Sequence, residues 1–144
     1  MLNYNLDEAI VKFDSTHIRY MNVHPKQIET SDCVCRALSL ATDTPYLEMR
    51  KKLNKIKREG EHPSYTYSKF IEYFMDNILE CKKESYPAVK GSPRMNGELF
   101  AQLYPVGIYV LRMAHHLTCC INGVIYDTWD CRDRCVYSSY KIGE

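Results

Sequence analysis

The sequence predicts an α+β fold in which N-terminal helices pack on a small antiparallel C-terminal sheet. Four helical patterns occupy residues 33–104, and three of them carry clear apolar stripes. After Pro105 the apolar residues occur in short runs typical of strands, and Asn122-Gly123 is the strongest two-residue hairpin signal. Helices followed by strands are typical of α+β proteins, and 144 residues suit a single domain over 1–144.

The predicted helices are bounded by capping residues and by helix breakers. Ser31 or Asp32 caps the first helix, over 33–41. A second helix begins at Pro45 and ends at Gly60, a third covers 64–79, and a short one covers 97–104. The residues expected on the buried faces of the first three helices are Val34, Ala37, Leu38, Ala41, Tyr46, Met49, Leu53, Ile56, Tyr67, Phe70, Ile71, Phe74 and Ile78.

The predicted strands lie mainly in the last third of the chain. Residues 107–113, 116–121 and 124–129 form three strands, and Val136-Tyr137 adds a short final one. Earlier strand-like pieces occur at 10–13 and 18–23. The polar segment 81–94, with its prolines and glycine, is typical of an edge strand followed by a loop.

Composition and charge limit the classes of function. The net charge is +1, and the chain is 45% hydrophobic and 26% charged, which favours neither nucleic-acid binding nor a membrane partner. The first residues contain neither a basic region nor an apolar run, so we expect no secretory signal and expect the seven cysteines to be reduced in the cytoplasm. Their spacings do not match paired zinc-ligand motifs, and adjacent strand residues such as His115 and His116 point to opposite faces, so we expect no metal or other cofactor.

Three residues predict a thiol enzyme. Cys33 stands at the start of a helix, where the macrodipole stabilises a thiolate. With Asn122-Gly123 as the hairpin loop, His116 and Asp127 are diagonal neighbours on one sheet face. The carboxylate can then orient the imidazole toward a thiol. A slip of one residue would place His115 there instead.

Gln27, shortly before Cys33, is the candidate oxyanion donor, together with the backbone N–H of Cys33. Two alternatives remain open, one for the nucleophilic cysteine and one for the aspartate. Cys35 is a rival nucleophile, although it points about 200° around the helix from Cys33. Asp130 competes with Asp127 as the third member of the site.

The segment from Gln27 to Cys33, with Asp32 directly before the cysteine, resembles papain-like cysteine peptidases. It is most similar to the peptidases that process bacteriocin leaders, in which glycine usually stands at the position of Val34. Residues 32–42 and 116–130 also resemble small papain-like proteins of phage and prophage genomes. The resemblance covers about 25–45 and 107–137. It implies Cys33 as nucleophile, His116 as base, Asp127 as orienting acid and Gln27 as oxyanion donor.

The expected function is therefore that of a papain-like cysteine hydrolase, of the peptidase, isopeptidase or amidase type, acting on a peptide or protein substrate through an acyl-enzyme. Two alternatives keep the same fold. One is a binding module or phage accessory protein without catalysis. The other is an acyltransferase that uses the same residues but passes the acyl group to an acceptor other than water.

Overall fold

In the part of the chain that the structure describes, the fold is α+β, with four helices and a six-stranded sheet. The structure is a computed structural model, and it describes Tyr4, residues 17–26 and residues 32–143. In chain order the elements are β1 (Ile18–Tyr20), α1 (Cys33–Thr42), α2 (Tyr46–Glu59), α3 (Ser68–Tyr73) with a π-helical continuation (Phe74–Ile78), β2 (Lys82–Ser85), α4 (Gly97–Leu103), β3 (Ile108–Met113), β4 (His116–Ile121), β5 (Val124–Asp127) and β6 (Ser138–Ile142).

The sheet has the strand order β1-β5-β4-β3-β6-β2. The C-terminal strands β3 to β6 pair antiparallel as predicted, but the sheet is larger than expected, because β1 joins it in parallel beside β5, with Arg19 opposite Tyr126. A strand before α1 reaches β5 only through long-range packing, so no local pattern sets its direction. The polar strand β2 forms the opposite edge, as predicted for the segment after residue 81. The last strand begins at Ser138, just after the predicted position.

Helix α1 lies at the centre of the larger core cluster. It packs against α2 on one side and against β3, β4 and β5 on the other. The helix is therefore covered nearly all round, and every residue from Val34 to Ala41 is buried. The predicted stripe residues of α1 are in the core, and Leu38 is among its largest fully buried side chains. This packing fixes the start of α1 against the sheet.

The third predicted helix is shorter than expected. The segment before Ser68 forms turns, and after Tyr73 the helix widens into π-helical geometry. Phe74 and Met75 are consecutive and both fully buried. A π-helical turn changes the rotation between successive side chains, so neighbours along the chain can both reach the core. The apolar periodicity of the sequence does not reveal this change.

A second core cluster lies on the other side of the sheet. It joins α4, through Phe100, to Leu111 of β3, Ile125 of β5 and the buried residue Cys131. Leu111, Ile125 and Cys131 are fully buried. None of the described helices is long and apolar enough to cross a membrane.

Candidate active site

The β4–β5 hairpin positions the two predicted polar residues. Cys119 pairs with Tyr126, and both loop residues are left-handed, Asn122 at φ 49° and Gly123 at φ 76°. This is the tight turn that Asn-Gly favours, so the predicted register is confirmed. A Cβ on Gly123 would lie 3.1 Å from the Ala101 carbonyl oxygen, a second reason for glycine here.

His116 opens β4 and Asp127 closes β5, so the two side chains meet at one end of the hairpin. Nε2 of His116 lies 2.6 Å from Oδ2 of Asp127, and the Thr128 N–H donates to Oδ1 at 2.7 Å. Burial alone would raise the pKa of Asp127. The hydrogen bond and charge of His116 outweigh it and hold that pKa below its ordinary value.

The imidazole of His116 is stabilised in its charged form. Burial lowers the pKa of His116, but hydrogen bonds to the side chains of Asp127, Cys131 and Cys33 raise it to about 11. Because Nε2 is held by Asp127, the other ring nitrogen is available to the Cys33 thiol. The structure therefore brings Cys33, His116 and Asp127 together.

Asp32 occupies the N-cap position of α1 but does not cap it. Its side chain makes no cap hydrogen bond, so the predicted capping role is wrong for this residue. The carboxylate instead pairs with Arg36 and accepts a hydrogen bond of 2.8 Å from the Tyr46 hydroxyl. Asp32 is 4% exposed, and a buried carboxylate is stabilised better by a cation than by a single backbone N–H. Ser31, the other predicted cap, lies outside the described residues.

Arg36 connects the start of α1 to the hairpin. Its Nη2 lies 3.6 Å from Oδ1 of Asp127, while Nη1 contacts Asp32. All three residues are buried. Arg36 therefore pairs with two carboxylates, that of Asp32, the residue before Cys33, and that of Asp127, which holds the imidazole.

Cys131 is the site residue that the sequence did not reveal. Its thiol donates to Oδ2 of Asp127 at 3.5 Å and lies within 4.8 Å of a ring nitrogen of His116. Burial raises the pKa of Cys131 to about 11, which keeps this thiol protonated and able to donate. The loop after β5 folds back so that Cys131 contacts Asp127, and no short-range sequence pattern predicts this contact.

His116, Asp127 and Cys131 present donor atoms within 4.8 Å of one another, a set that zinc accepts. Two ligands about 2.0–2.1 Å from a tetrahedral ion are about 3.3 Å apart. The 2.6 Å between Nε2 and Oδ2 is instead a hydrogen-bond distance. We therefore interpret the cluster as a hydrogen-bonded pair with a supporting thiol.

A cleft of about 650 Å³ opens beside these residues, and Cys33 and His116 lie on its wall. The Trp129 ring packs 4.8 Å from the His116 ring, centroid to centroid, and is 37% exposed. It therefore separates the imidazole from bulk water on that side. An acyl group in the cleft would have access to both the thiol and the imidazole.

The other residues that the sequence offered for the site lie in different surroundings. His115 is an exposed residue of the β3–β4 turn at φ 51°, so it lies in neither strand, although it lines the cleft. The Asp130 carboxylate pairs with Arg132 at 2.8 Å, whereas the carboxylate bonded to His116 is that of Asp127. Cys35 points into the core, with its thiol toward Ser39 and the Tyr46 carbonyl. Gln27 lies outside the described residues, and its role stays a prediction.

No family model matches the chain, and neither curated proteins nor solved structures give a significant match.

Proposed function

We propose that this protein is a cysteine hydrolase with a papain-like arrangement of Cys33, His116 and Asp127. The observation that carries the proposal is the 2.6 Å bond between His116 and Asp127, formed beside a cleft that His116 and Cys33, at the start of α1, both line. A thiol at a helix start, an imidazole and a carboxylate that holds the imidazole are the three parts of an activated nucleophile. We expect an amide or isopeptide bond of a peptide or protein as the substrate.

The first step is acylation. With its pKa raised to about 11, His116 carries a proton at neutral pH, and this charge stabilises a Cys33 thiolate beside it. The thiolate attacks the carbonyl carbon of the substrate. As the C–N bond breaks, His116 gives its proton to the leaving amine, and an S-acyl enzyme remains. His116 thus acts first as an acid.

The second step is hydrolysis of the thioester. The neutral imidazole removes a proton from water, the hydroxide attacks the acyl carbon, and the C–S bond breaks to restore the thiolate and the imidazolium. Asp127 keeps the ring oriented through both steps. Gln27 and the backbone N–H of Cys33 are the proposed donors to the oxyanion.

The proposal requires neither a metal nor an organic cofactor. All seven cysteines lie within the described residues and none forms a disulfide, which suits a reducing compartment such as the cytoplasm. Burial raises the pKa of Cys35, Cys81, Cys119, Cys120 and Cys131, and these thiols are therefore poor nucleophiles at neutral pH.

The test is alkylation of the native protein with iodoacetamide at pH 6 and pH 8, read by mass spectrometry of each cysteine peptide. An ordinary thiol is about 3% ionised at pH 7, and its alkylation rate falls about tenfold for each pH unit below that. We expect Cys33 to react fastest, with a rate that changes less than about fivefold between the two pH values. In the His116→Ala variant, the alkylation rate of Cys33 at pH 6 should fall roughly tenfold, because the positive charge beside the thiol is lost.

Cys135 serves as the internal control because it is also half-buried but lies outside the hairpin site. Its rate should fall steeply at pH 6 and should not respond to His116→Ala. Equal pH profiles for Cys33 and Cys135 would refute catalysis and favour the binding module. An acyl-enzyme that added amines discharge faster than water does would favour the acyltransferase.

A further inference from the structure

We propose that Arg112 forms an anion-binding subsite in the cleft, so that the preferred substrate carries a carboxylate close to the scissile bond. This inference rests on the proposed hydrolase function. It concerns the substrate class, which the residues Cys33, His116 and Asp127 do not specify.

Arg112 lies near the reacting groups. It is on β3 opposite Leu117, and its neighbour Met113 is opposite His116. The backbone of Arg112 is therefore one strand (about 4.8 Å) and one residue (about 3.3 Å) away from that of His116, although the two side chains leave the sheet on opposite faces. The Arg112 side chain also lines the cleft that holds Cys33. An extended substrate attached to Cys33 would bring a side chain to Arg112 within one or two residues.

The Arg112 guanidinium is held in place by two neighbours, but some of its hydrogen-bond donors remain available. Nη2 donates to the Ser68 hydroxyl at 2.9 Å, and Nη1 donates to the Glu72 carboxylate at 3.3 Å. A guanidinium has five N–H donors, so donors remain for a ligand. The Arg112 side chain is 20% exposed. A positioned cation with free donors loses little conformational entropy when a carboxylate binds.

The charge around Arg112 stays positive. Glu72 is shared with Lys83, whose Nζ lies 3.9 Å away, so two cations face one carboxylate. The other arginine of the cleft, Arg36, is balanced by Asp32 and Asp127. Among the described residues no aspartate or glutamate lines the cleft, whereas Arg112 and His115 do. The cleft therefore favours an acidic group over a basic one.

The experiment uses three peptidyl vinyl sulfones that differ only in the residue next to the electrophile, which is Glu, Gln or Lys. The rate of adduct formation on Cys33 is measured by mass spectrometry. We expect the Glu probe to react roughly tenfold faster than the Gln probe, as one partly exposed charge-assisted hydrogen bond provides, and the Lys probe to be slowest. The Glu preference should weaken as salt is raised from about 0.05 to 0.5 M.

Arg112→Gln should bring the Glu:Gln ratio to about one. Arg58→Gln, an exposed position on α2, is the matched control and should keep the wild-type ratio. Equal Glu and Gln rates in the wild type at about 0.05 M salt would overturn the subsite without the need for a folded variant. A preference that survives Arg112→Gln would also overturn it.

Iodoacetamide separates the two proposals because it carries no acidic group. Fast, pH-insensitive alkylation of Cys33 combined with equal Glu and Gln probe rates would remove the subsite and leave the hydrolase intact. Slow alkylation of Cys33 with an ordinary pH profile would refute both the hydrolase function and the subsite.

Discussion

Replacing Arg36 tests the charge network that joins α1 to the hairpin. The Arg36→Met variant keeps the length of the side chain but removes its charge. It leaves Asp32 with the Tyr46 hydroxyl, and Asp127 with His116, the Thr128 N–H and the Cys131 thiol. All of these carboxylate oxygens lie in a buried region, where an uncompensated charge is costly.

The magnitude follows from the separation of the charges. Nη2 of Arg36 and Oδ1 of Asp127 are 3.6 Å apart. At an effective dielectric constant of about 20, such a pair attracts with about 4–5 kcal/mol. Removing one partner of a buried pair typically costs about 3–5 kcal/mol. We therefore expect Arg36→Met to lower the free energy of unfolding by about 3–5 kcal/mol at pH 7.

The assay is urea unfolding followed by circular dichroism. Adding Asp32→Asn to Arg36→Met removes one uncompensated carboxylate but keeps an oxygen acceptor for Tyr46. The double variant should therefore recover about 2 kcal/mol. Arg58→Met, on the exposed face of α2, is the control and should change stability by less than about 0.5 kcal/mol. A loss below about 1 kcal/mol for Arg36→Met, or a double variant no more stable than the single one, would refute the reasoning.

Two further predictions concern the surroundings of Asp127. The pKa of His116, raised to about 11 from about 6.5, means that its contribution to stability is complete below pH 6.5 and is lost as the pH rises toward 11. The difference in free energy of unfolding between wild type and His116→Gln, measured by urea unfolding, should therefore shrink from pH 6 to pH 9. The decrease should be at most about 1.4 kcal/mol per pH unit. A difference that stays constant or grows would contradict this. Cys131→Ala should slow alkylation of Cys33 severalfold because Asp127 loses a donor, whereas Cys131→Ser should retain the rate. Cys120→Ala, which removes another buried thiol, is the control, and equal rates in all three variants would exclude a positioning role for Cys131.

Much of the fold follows from local patterns. The apolar spacing of α1 and α2 predicts which side chains are buried, because a helix places every third or fourth residue on one face. Asn122-Gly123 predicts the hairpin register, because few other residue pairs accept two left-handed conformations in succession. The diagonal placement of His116 and Asp127 follows from that register alone.

The departures from prediction have a common origin in packing. The direction of β1 depends on β5, a partner more than a hundred residues away. The π-helical turn after Tyr73 depends on the core that receives Phe74 and Met75. The capping prediction for Asp32 overlooked Arg36, a stronger partner one turn along the same helix.

The sequence by itself determined the parts of the candidate site that depend on neighbours along the chain, namely a cysteine at a helix start and a histidine paired with an aspartate across a tight turn. Only the tertiary structure decided that these parts meet, that Arg36 joins them, and that Cys131 supports Asp127. The physical reason is that a hairpin or a helix start is specified by short-range backbone geometry. Contact between Cys33 and His116 instead depends on how α1 packs against the sheet, which is set by the whole core at once.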